Sequence, residues 1–394
     1  MIALQKAMCA LPALHPMYGG EGEVKKAAYL KQFAAGLSPD ELSEVHAPDP
    51  RVPSGTRPTV VCRWKGAESS RTLWLLTHTD VVPPGEISLW KRSPWEAWLE
   101  DGRLYGRGVE DNQQSLTASL FALKACREES VRFPVDVGLM FMADEETGSE
   151  LGMRYVLENT TYFRPDDLFV VPDGGSADGA DIEIAEKGGA WIKISTHGKQ
   201  CHASMPELGV NAFRAGSALA ASLEALYAEF PRKNPLYSPE TSTFEPTKKE
   251  ANVPNINTIP GEDVFYMDCR ILPEEPVDTV LAAIRRHADA VEKRFGVKVD
   301  IEPAGKMTEA APATSPGAPV VKLYSEAVRQ VYKLEPRLVG IGGGTVGAFL
   351  RRRGYPVVVT GKNQFMAHQP NEFCVIDNMV GDAKVFAHLM GSAS

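Results

Sequence analysis

Side chains able to bind a metal ion follow four separate apolar runs of the chain. The runs are LWLLT, VGLMFMA, LFVVP and VVVT, and the side chains beyond them are, in the same order, His78, Asp144-Glu145-Glu146, Asp173 and His368. Asp111 adds a further carboxylate, in a Gly-rich turn (GRGVEDNQ) before a predicted helix. Because sites in open α/β sheets gather at the carboxyl ends of strands, we expect these side chains to meet. Two His and three carboxylates suit a pair of zinc-like ions that share one carboxylate.

Each of these residues also has an ordinary structural interpretation. A single His after a strand is commonly a hydrogen-bonded structural residue. Asp111 is typical of a helix cap, and Asp173, before two glycines, is typical of a turn. Glu145 and Glu146 could be solvated residues at a helix N-terminus. The joint pattern favours the metal interpretation, because chance rarely places His, Glu, Asp and His at four strand ends.

The elements that would position these side chains follow an α/β pattern. Buried strands are predicted at residues 73–76, 135–142 and 168–171, and leucines spaced four and three apart predict a helix within residues 110–129. Asp111 or Asn112 could cap this helix. We expect an α/β fold built on a mostly parallel central sheet.

The pattern changes near residue 186 and predicts an inserted domain. A strand (191–196), a helix (211–229), two strands (242–247, 264–272), a helix (277–295) and a strand (297–301) follow in that order. This order of elements is typical of a small α+β, ferredoxin-like sandwich with one open sheet face. Residues 303–319, rich in Pro, Ala and Gly, indicate a hinge. We expect one domain over 1–185 and 304–394, interrupted by a smaller domain over 186–303.

Composition excludes several classes of protein. The chain has 394 residues, 43% hydrophobic and 24% charged, which is typical of a globular protein of two domains. Its net charge of −9 argues against nucleic-acid binding. No apolar run reaches the roughly 18 residues of a membrane span, and the N-terminus lacks the pattern of a signal peptide. Six scattered cysteines without a CxxC pair favour a reducing cytoplasm.

Five motifs, taken in order, resemble those of the co-catalytic zinc amidohydrolases. They are His78-Thr79-Asp80, Gly106-Arg107-Gly108 with Asp111, Asp144-Glu145-Glu146, Val171-Pro172-Asp173 and Ala367-His368. That family includes carboxypeptidase G, aminoacylase, acetylornithine deacetylase and succinyl-diaminopimelate desuccinylase. The resemblance covers essentially the whole chain, and the run GRGVEDNQQ is similar to the deacetylase and desuccinylase branch. It implies a zinc-peptidase-like catalytic domain over 1–185 and 304–394, with the inserted domain over 186–303 acting as a lid and dimerisation domain.

The resemblance implies two divalent metal ions, zinc or else cobalt or manganese. Asp111 would bridge them. His78 and Asp173 would complete one position, and Glu146 and His368 the other.

The resemblance also implies the catalytic residues. Glu145 would be the general base, taking a proton from a water molecule that the ions acidify and delivering it to the leaving amine. Asp80 would hydrogen-bond the imidazole of His78 and fix its tautomer.

The inserted domain carries residues that the resemblance connects with substrate. In GKQCHAS, His202 matches the lid His that stabilises the oxyanion in the other subunit of a homodimer. Arg270, in MDCRILP, matches an arginine that grips a substrate carboxylate. Alternatively, His202 is an ordinary His in a surface loop, and Arg270 forms a surface salt bridge. Asn255 and Asn257 either present amides to substrate or form a turn.

A glycine run near the C-terminal part of the chain could bind an anion. Backbone N–H groups of Gly343, Gly344 and Thr345 could hold a substrate carboxylate, or the glycines could serve close packing. The desuccinylases place an Asp soon after the Thr, whereas this chain has Val-Gly there. This departure concerns desuccinylase specificity and leaves the metal ligands unchanged.

We therefore predict a dinuclear zinc hydrolase that cleaves an amide in a small N-acyl amino acid or a short peptide with a free carboxylate. An aminopeptidase or dipeptidase of related type is the alternative within the enzymes. A non-catalytic dimeric binding protein is the alternative outside them. It would have lost a ligand or Glu145, and the chain retains all of them.

Overall fold

The computed structural model of the protein describes residues 1–393, with Lys306 described as backbone only. The chain forms two compact units. The first contains residues 1–184, 313–339 and the stretch from 345 onward, and the second contains residues 185–312 and 340–344. The polypeptide therefore leaves the first unit, builds the second, and returns.

The elements up to residue 186 are four helices and eight strands. They are α1 (Ile2–Cys9), α2 (Val24–Ala35), β1 (Glu41–Pro48), β2 (Thr56–Trp64), β3 (Glu68–His78), β4 (Trp98–Glu100), β5 (Arg103–Tyr105), α3 (Gln113–Glu128), β6 (Val135–Met142), α4 (Met153–Asn159), β7 (Leu168–Val171) and β8 (Asp181–Glu186).

The second unit is built from the middle of the chain. Its elements are β9 (Gly188–His197), β10 (Cys201–His202), α5 (Ala212–Ser222), α6 (Leu226–Glu229), β11 (Thr243–Lys249), β12 (Thr258–Ile259), β13 (Glu262–Ile271), α7 (Val277–Phe295) and β14 (Lys298–Thr308). The strands β11-β13-β9-β14 form an antiparallel sheet in that order, and β10 pairs with β12. With α5 and α7 as its two long helices, this is the βαββαβ arrangement of a ferredoxin-like sandwich.

The last stretch returns to the first unit. Its elements are α8 (Pro319–Tyr332), β15 (Arg337–Ile341), α9 (Gly347–Arg352), β16 (Val357–Val359), β17 (Phe373–Val375) and α10 (Ile376–Ser392). Short 3-10 helices lie at Pro16–Tyr18, Ile87–Leu89, Glu145–Thr147, Pro206–Leu208 and Leu223–Ala225.

The first unit is organised around an eight-stranded sheet in the order β1-β2-β6-β3-β7-β16-β8-β15. Its inner strands β6, β3, β7 and β16 are parallel, and the pairs β1–β2, β2–β6 and β16–β8 are antiparallel. The predicted α/β class is confirmed, and the sheet is parallel at its centre and antiparallel on both sides of it. A small sheet of β17, β5 and β4 accompanies it.

Both faces of the parallel centre are covered. Leu73 and Leu75 on one face of β3, and Trp74 and Leu76 on the other, are all fully buried. Helices α4 and α9 supply side chains to the cluster around Trp74, and α10 packs against α3 and α8. A strand buried on both faces is usually a near-continuous apolar run; β7 is one, and β6 is one apart from Asp136, and the predicted bounds of both strands match the structure.

The second unit has one covered and one open sheet face. Helix α7 buries an apolar stripe that includes Val280, Ile284 and Val291 against β9 and β14. On the opposite face Trp191 is 42% exposed. The helix ends at Gly296, whose φ of 69° is a left-handed C-terminal cap.

Several predicted boundaries shift. The helix predicted within 110–129 begins only at Gln113, because the residues before it form turns. The helix predicted at 211–229 is interrupted by the 3-10 helix Leu223–Ala225. Strand β14 continues through Thr308, so the segment predicted as a hinge from 303 begins as strand. No helix within residues 1–393 has the length and hydropathy to cross a membrane.

Gly138 provides a test of the sheet's packing. It lies opposite Trp74 in the β3–β6 pairing, and a Cβ added there would be 2.2 Å from Cε3 of the indole. Gly138→Ala should therefore lower the free energy of unfolding by about 1–3 kcal/mol, the usual cost of overpacking a core. Urea unfolding would measure it. Gly317→Ala is the control, since its Cβ would meet nothing closer than 3.7 Å. Equal unfolding midpoints for the two variants would contradict this account of the core.

Candidate metal centre

The candidate ligands lie at one edge of the large sheet. Strand β3 ends at His78, β6 is followed by Glu145 and Glu146, and β7 is followed by Asp173. These strands are parallel, so their carboxyl ends share an edge. His368 lies in the loop after β16, the fourth parallel strand.

Asp111 lies between two imidazoles. Its Oδ1 is 3.0 Å from Nε2 of His78, and its Oδ2 is 3.3 Å from Nε2 of His368. His368 Nε2 is also 3.1 Å from Oε2 of Glu146, and His78 Nε2 is 3.6 Å from Oδ1 of Asp173. Each oxygen of the Asp111 carboxylate therefore faces a different pair of candidate ligands: His78 and Asp173 on one side, and His368 and Glu146 on the other.

The orientation of His78 leaves a place for a cation. Its Nδ1 is 3.1 Å from the backbone carbonyl oxygen of Asp80, an acceptor, so Nδ1 carries a proton. In the neutral ring Nε2 then presents a lone pair to the carboxylates of Asp111 and Asp173. A proton or a metal ion between them removes this repulsion. Without a metal, burial lowers the pKa of His78, but the carboxylates of Asp173 and Asp111 outweigh it and leave the pKa raised.

Asp80 holds the segment that carries the two adjacent glutamates. Its Oδ1 accepts a hydrogen bond from the amide of Glu145 at 3.1 Å, and its Oδ2 accepts one from Glu146 at 3.0 Å. Its Oδ1 lies 3.4 Å from Nδ1 of His78. Asp80 therefore connects the His78 strand end to the Glu145–Thr147 turn, a backbone role that the sequence did not indicate.

The electrostatics reflect many carboxylates in a small volume. Burial, together with the charges of Asp173 and Glu146, raises the pKa of Glu145 well above its ordinary value. Burial and the charge of Asp111 raise the pKa of Glu146 to about 7. Contacts with Asp111 and Glu146 raise the pKa of His368 to about 10. In each case the raised pKa means that added positive charge, from a proton or a cation, stabilises the site.

The donor set fits divalent metal ions. Ligand atoms of His78, Asp111 and Glu146 lie within 4.8 Å of one another, as do those of His78, Glu145 and Asp173. Imidazole nitrogens with carboxylate oxygens and no thiolate suit zinc, cobalt or manganese.

Asn112 is a neighbour of the site that sequence reasoning missed. Its Nδ2 donates to the carbonyl of Pro172 at 2.7 Å and to Oδ1 of Asp173 at 2.8 Å. It occupies the N-cap position of α3, yet its side chain makes no capping bond. The helix start was visible in the sequence, but the contact with Asp173 depends on the sheet order.

In the second unit, His202 has a defined tautomer. It ends the short strand β10, and its Nδ1 accepts a hydrogen bond from the backbone N–H of Ser204 at 3.1 Å. A neutral ring therefore carries its proton on Nε2. That atom has no hydrogen-bond partner in the described part of the chain.

Arg270 lies on the open face of the second unit. Its Nε and Nη2 donate to the two oxygens of Asp268 at 2.6 and 2.8 Å, and its Nη1 donates to the carbonyl of Gly342 at 2.9 Å. Trp191 Nε1 donates to the same Asp268 carboxylate at 3.1 Å. Three of the five guanidinium N–H groups are thus engaged within the unit.

The other residues predicted to contact substrate form hydrogen bonds mainly with their own loops. Asn255 Nδ2 donates to Oδ1 of Asn257 and to Oγ1 of Thr258, so its amide N–H groups serve the turn. Gly343 and Gly344 continue the loop whose Gly342 carbonyl accepts from Arg270. Oγ1 of Thr345 accepts a hydrogen bond from the amide of Gly347 at 3.0 Å.

A central parallel sheet with His and carboxylate side chains at its carboxyl edge forms a candidate metal site. The profile of the peptidase family M20/M25/M40 matches residues 74–392. The chain belongs to this family and is a metallohydrolase acting on amide or peptide bonds.

Similar proteins agree with this assignment. An uncharacterised metallohydrolase of Methanocaldococcus jannaschii is 37% identical, over 99% of this chain and 98% of that protein. A succinyl-diaminopimelate desuccinylase of Alkalilimnicola ehrlichii is 28% identical, over 75% of this chain and 76% of its own. An M20 family metallo-carboxypeptidase of Sulfolobus solfataricus has the same fold, with a TM-score of 0.75 at 21% identity, over 98% of this chain and 97% of that chain.

Proposed function

We propose that the protein is a dinuclear metal hydrolase in which Asp111 bridges two ions. The main observation behind the proposal is that the two oxygens of Asp111 face different imidazoles. Oδ1 is 3.0 Å from Nε2 of His78, and Oδ2 is 3.3 Å from Nε2 of His368. His78 and Asp173 would complete one position, and Glu146 and His368 would complete the other. Zinc is the ion we favour, because imidazole with carboxylate is a common zinc donor set.

Glu145 is the proposed general base. Two divalent ions, when bound, acidify a water molecule and polarise the amide carbonyl of the substrate. Glu145 accepts the proton of the attacking water and delivers it to the leaving nitrogen. Its amide is held by Asp80 at 3.1 Å, which restricts where the carboxylate points. The same Asp80 lies beside His78, so one residue orients a ligand and the base.

His202 is the proposed oxyanion donor. The Ser204 amide occupies Nδ1, which leaves Nε2–H as a directed donor. We propose that the protein is a homodimer joined through the second unit, and that this N–H completes the active site of the partner subunit. A closed two-fold dimer is the commonest oligomer.

The proposed substrate is a small N-acyl amino acid or a short peptide with a free carboxylate. Arg270 keeps two N–H groups beyond those bound to Asp268 and Gly342, which allows it to bind an anion. The loop of Gly343, Gly344 and Thr345 is a second proposed carboxylate contact. The desuccinylase and carboxypeptidase named among the similar proteins act on substrates of this chemical class. All six cysteines are free thiols, which supports a reducing, cytoplasmic setting.

A substrate panel tests the proposed activity. N-acetyl and N-succinyl amino acids and dipeptides should be hydrolysed, whereas the same compounds with the carboxylate blocked as an amide should be poor substrates. Chelation should abolish turnover, and zinc, cobalt or manganese should restore it. Preferential cleavage of amino-acid amides with a free amine would indicate an aminopeptidase instead. An active preparation without any bound divalent ion would contradict the metal mechanism.

Glu145→Gln tests the division of roles between the adjacent glutamates. It preserves size and removes the base, so kcat should fall by roughly 10²–10⁴-fold, as for other general acid–base catalysts. Metal content, measured by elemental analysis, should stay that of the unaltered protein. Glu146→Gln is the matched comparison and should lose metal. Equal loss of metal in both variants would show that Glu145 is a ligand.

Mixing variants tests the proposed dimer. His202→Ala should lower kcat on the order of 10²–10³-fold and change KM less, because the oxyanion exists only along the reaction path. Mixing His202→Ala chains with Glu145→Gln chains should restore activity, since a mixed dimer has one site with both groups intact. His197→Ala is the control: this His pairs with Asp300 at 3.1 Å, and its loss should leave kcat unchanged. Confirmed subunit exchange without restored activity would rule out action across the dimer.

A further inference from the structure

Asp111 and His368 both lie in loops without regular secondary structure. Residues 106–112 and 363–372 form turns and irregular backbone. Buried backbone N–H groups in such segments need acceptors other than a helix or a sheet. Five of these amides are bound by the carboxylates of two glutamates that the proposed mechanism does not use, Glu110 and Glu372.

Glu372 holds the loop that carries Asp111. Its Oε1 accepts hydrogen bonds from the amides of Glu110 at 2.9 Å and Asp111 at 3.1 Å. Its Oε2 accepts from the amide of Gly108 at 2.8 Å and from Nη1 of Arg107 at 2.7 Å. The residue is fully buried, so water does not compete for these bonds.

Glu110 holds the loop that carries His368. Its Oε1 accepts a hydrogen bond from the amide of Gln364, and its Oε2 accepts one from the amide of Met366. Glu110 is 7% exposed and directly precedes Asp111 in the chain. Each ligand loop therefore contributes a carboxylate that binds backbone N–H groups of the other loop.

We propose that Glu110 and Glu372 are positioning residues that form a reciprocal clamp between the loops of Asp111 and His368. The clamp sets the distance between Asp111 Oδ2 and His368 Nε2, which is 3.3 Å here. Hydrogen bonds to charged carboxylates are strong and directional, and a metal site requires its ligands to be held closely. The inference rests on the two-ion site proposed above.

The two halves of the clamp have different consequences for metal binding. Glu110 bonds only the loop of His368, so Glu110→Gln should weaken the ion held by Glu146 and His368. Glu372 bonds the amide of Asp111, which both ions share, so Glu372→Gln should weaken both. The loss should be about 10–100-fold in affinity, the usual effect of removing a group that orients a ligand.

Titration of metal-free, full-length protein with Zn²⁺ in a calorimeter measures these affinities. Glu110→Gln should retain one equivalent at its original affinity and lose affinity at the other. The control is Asp167→Asn, which removes another buried carboxylate that accepts backbone N–H groups, from Thr72 and Arg164, before strand β7. It should lower the melting temperature and leave both equivalents unchanged. Uniform weakening in Glu110→Gln, or unchanged affinities, would overturn the proposal.

Hydrogen exchange of the metal-free protein tests the clamp without any ion. Glu110→Gln should accelerate exchange at least about tenfold at the amides of Gln364 and Met366, because a carboxamide presents only one acceptor oxygen to them. Glu372→Gln should do the same within residues 108–111. Unchanged protection would overturn the clamp even if two ions bind. Accelerated exchange in a protein that binds one ion would support the clamp and contradict the two-ion site. If Glu372→Gln does not fold, Glu110→Gln alone decides.

Discussion

Mutual repulsion among carboxylates is the constraint on which the rest of the structure depends. Asp111, Glu145, Glu146 and Asp173 converge at the carboxyl edge of one parallel sheet, and burial deprives them of much of the water that would screen their charges. Such a cluster is stable only with cations in its centre or protons on its members. The raised pKa values of Glu145 and Glu146 and the need of His78 Nε2 for a proton or an ion are expressions of the same imbalance.

Two buried basic side chains, Lys26 and Arg57, bind groups next to the cluster, whereas His78 and His368 contact its carboxylates directly. Lys26 is buried and donates to the backbone carbonyl of Thr79 at 2.8 Å, and burial lowers its pKa to about 8. Arg57 is fully buried, forms an ion pair with Glu23, and lies 3.4 Å from Asp144. These cations hold the turns that present the ligands. The ligand carboxylates themselves stay available for metal ions.

Strands and ligands could be predicted from the sequence where a short stretch of the chain has a recognisable hydrophobic pattern. Strand β7 is a continuous apolar run, and so is β6 after Asp136, and the residues just beyond them had to meet at one edge because parallel strands share a direction. Glu110, Glu372 and Asn112 could not be assigned in this way. Their partners lie between 60 and 265 residues away in the chain, and their contacts exist only after the strand order is fixed. The extension of β14 into the predicted hinge was missed because Pro and Gly there lie within a bulged strand.

Because β16 lies inside the large sheet but comes late in the chain, the sheet cannot be completed until most of the chain has been synthesised. This strand lies between β7 and β8, pairing parallel with the former through Val357–Val359 and antiparallel with the latter at Glu183. On the ribosome, β7 and β8 are complete long before residue 357 is made, a delay on the order of 10–40 s at ~5–20 residues per second. During that interval the apolar strand β7 has one unpaired edge, of the kind that promotes aggregation. The nascent chain therefore passes through a vulnerable stage in which the large sheet lacks its inner strand, and a protecting chaperone would be most useful there.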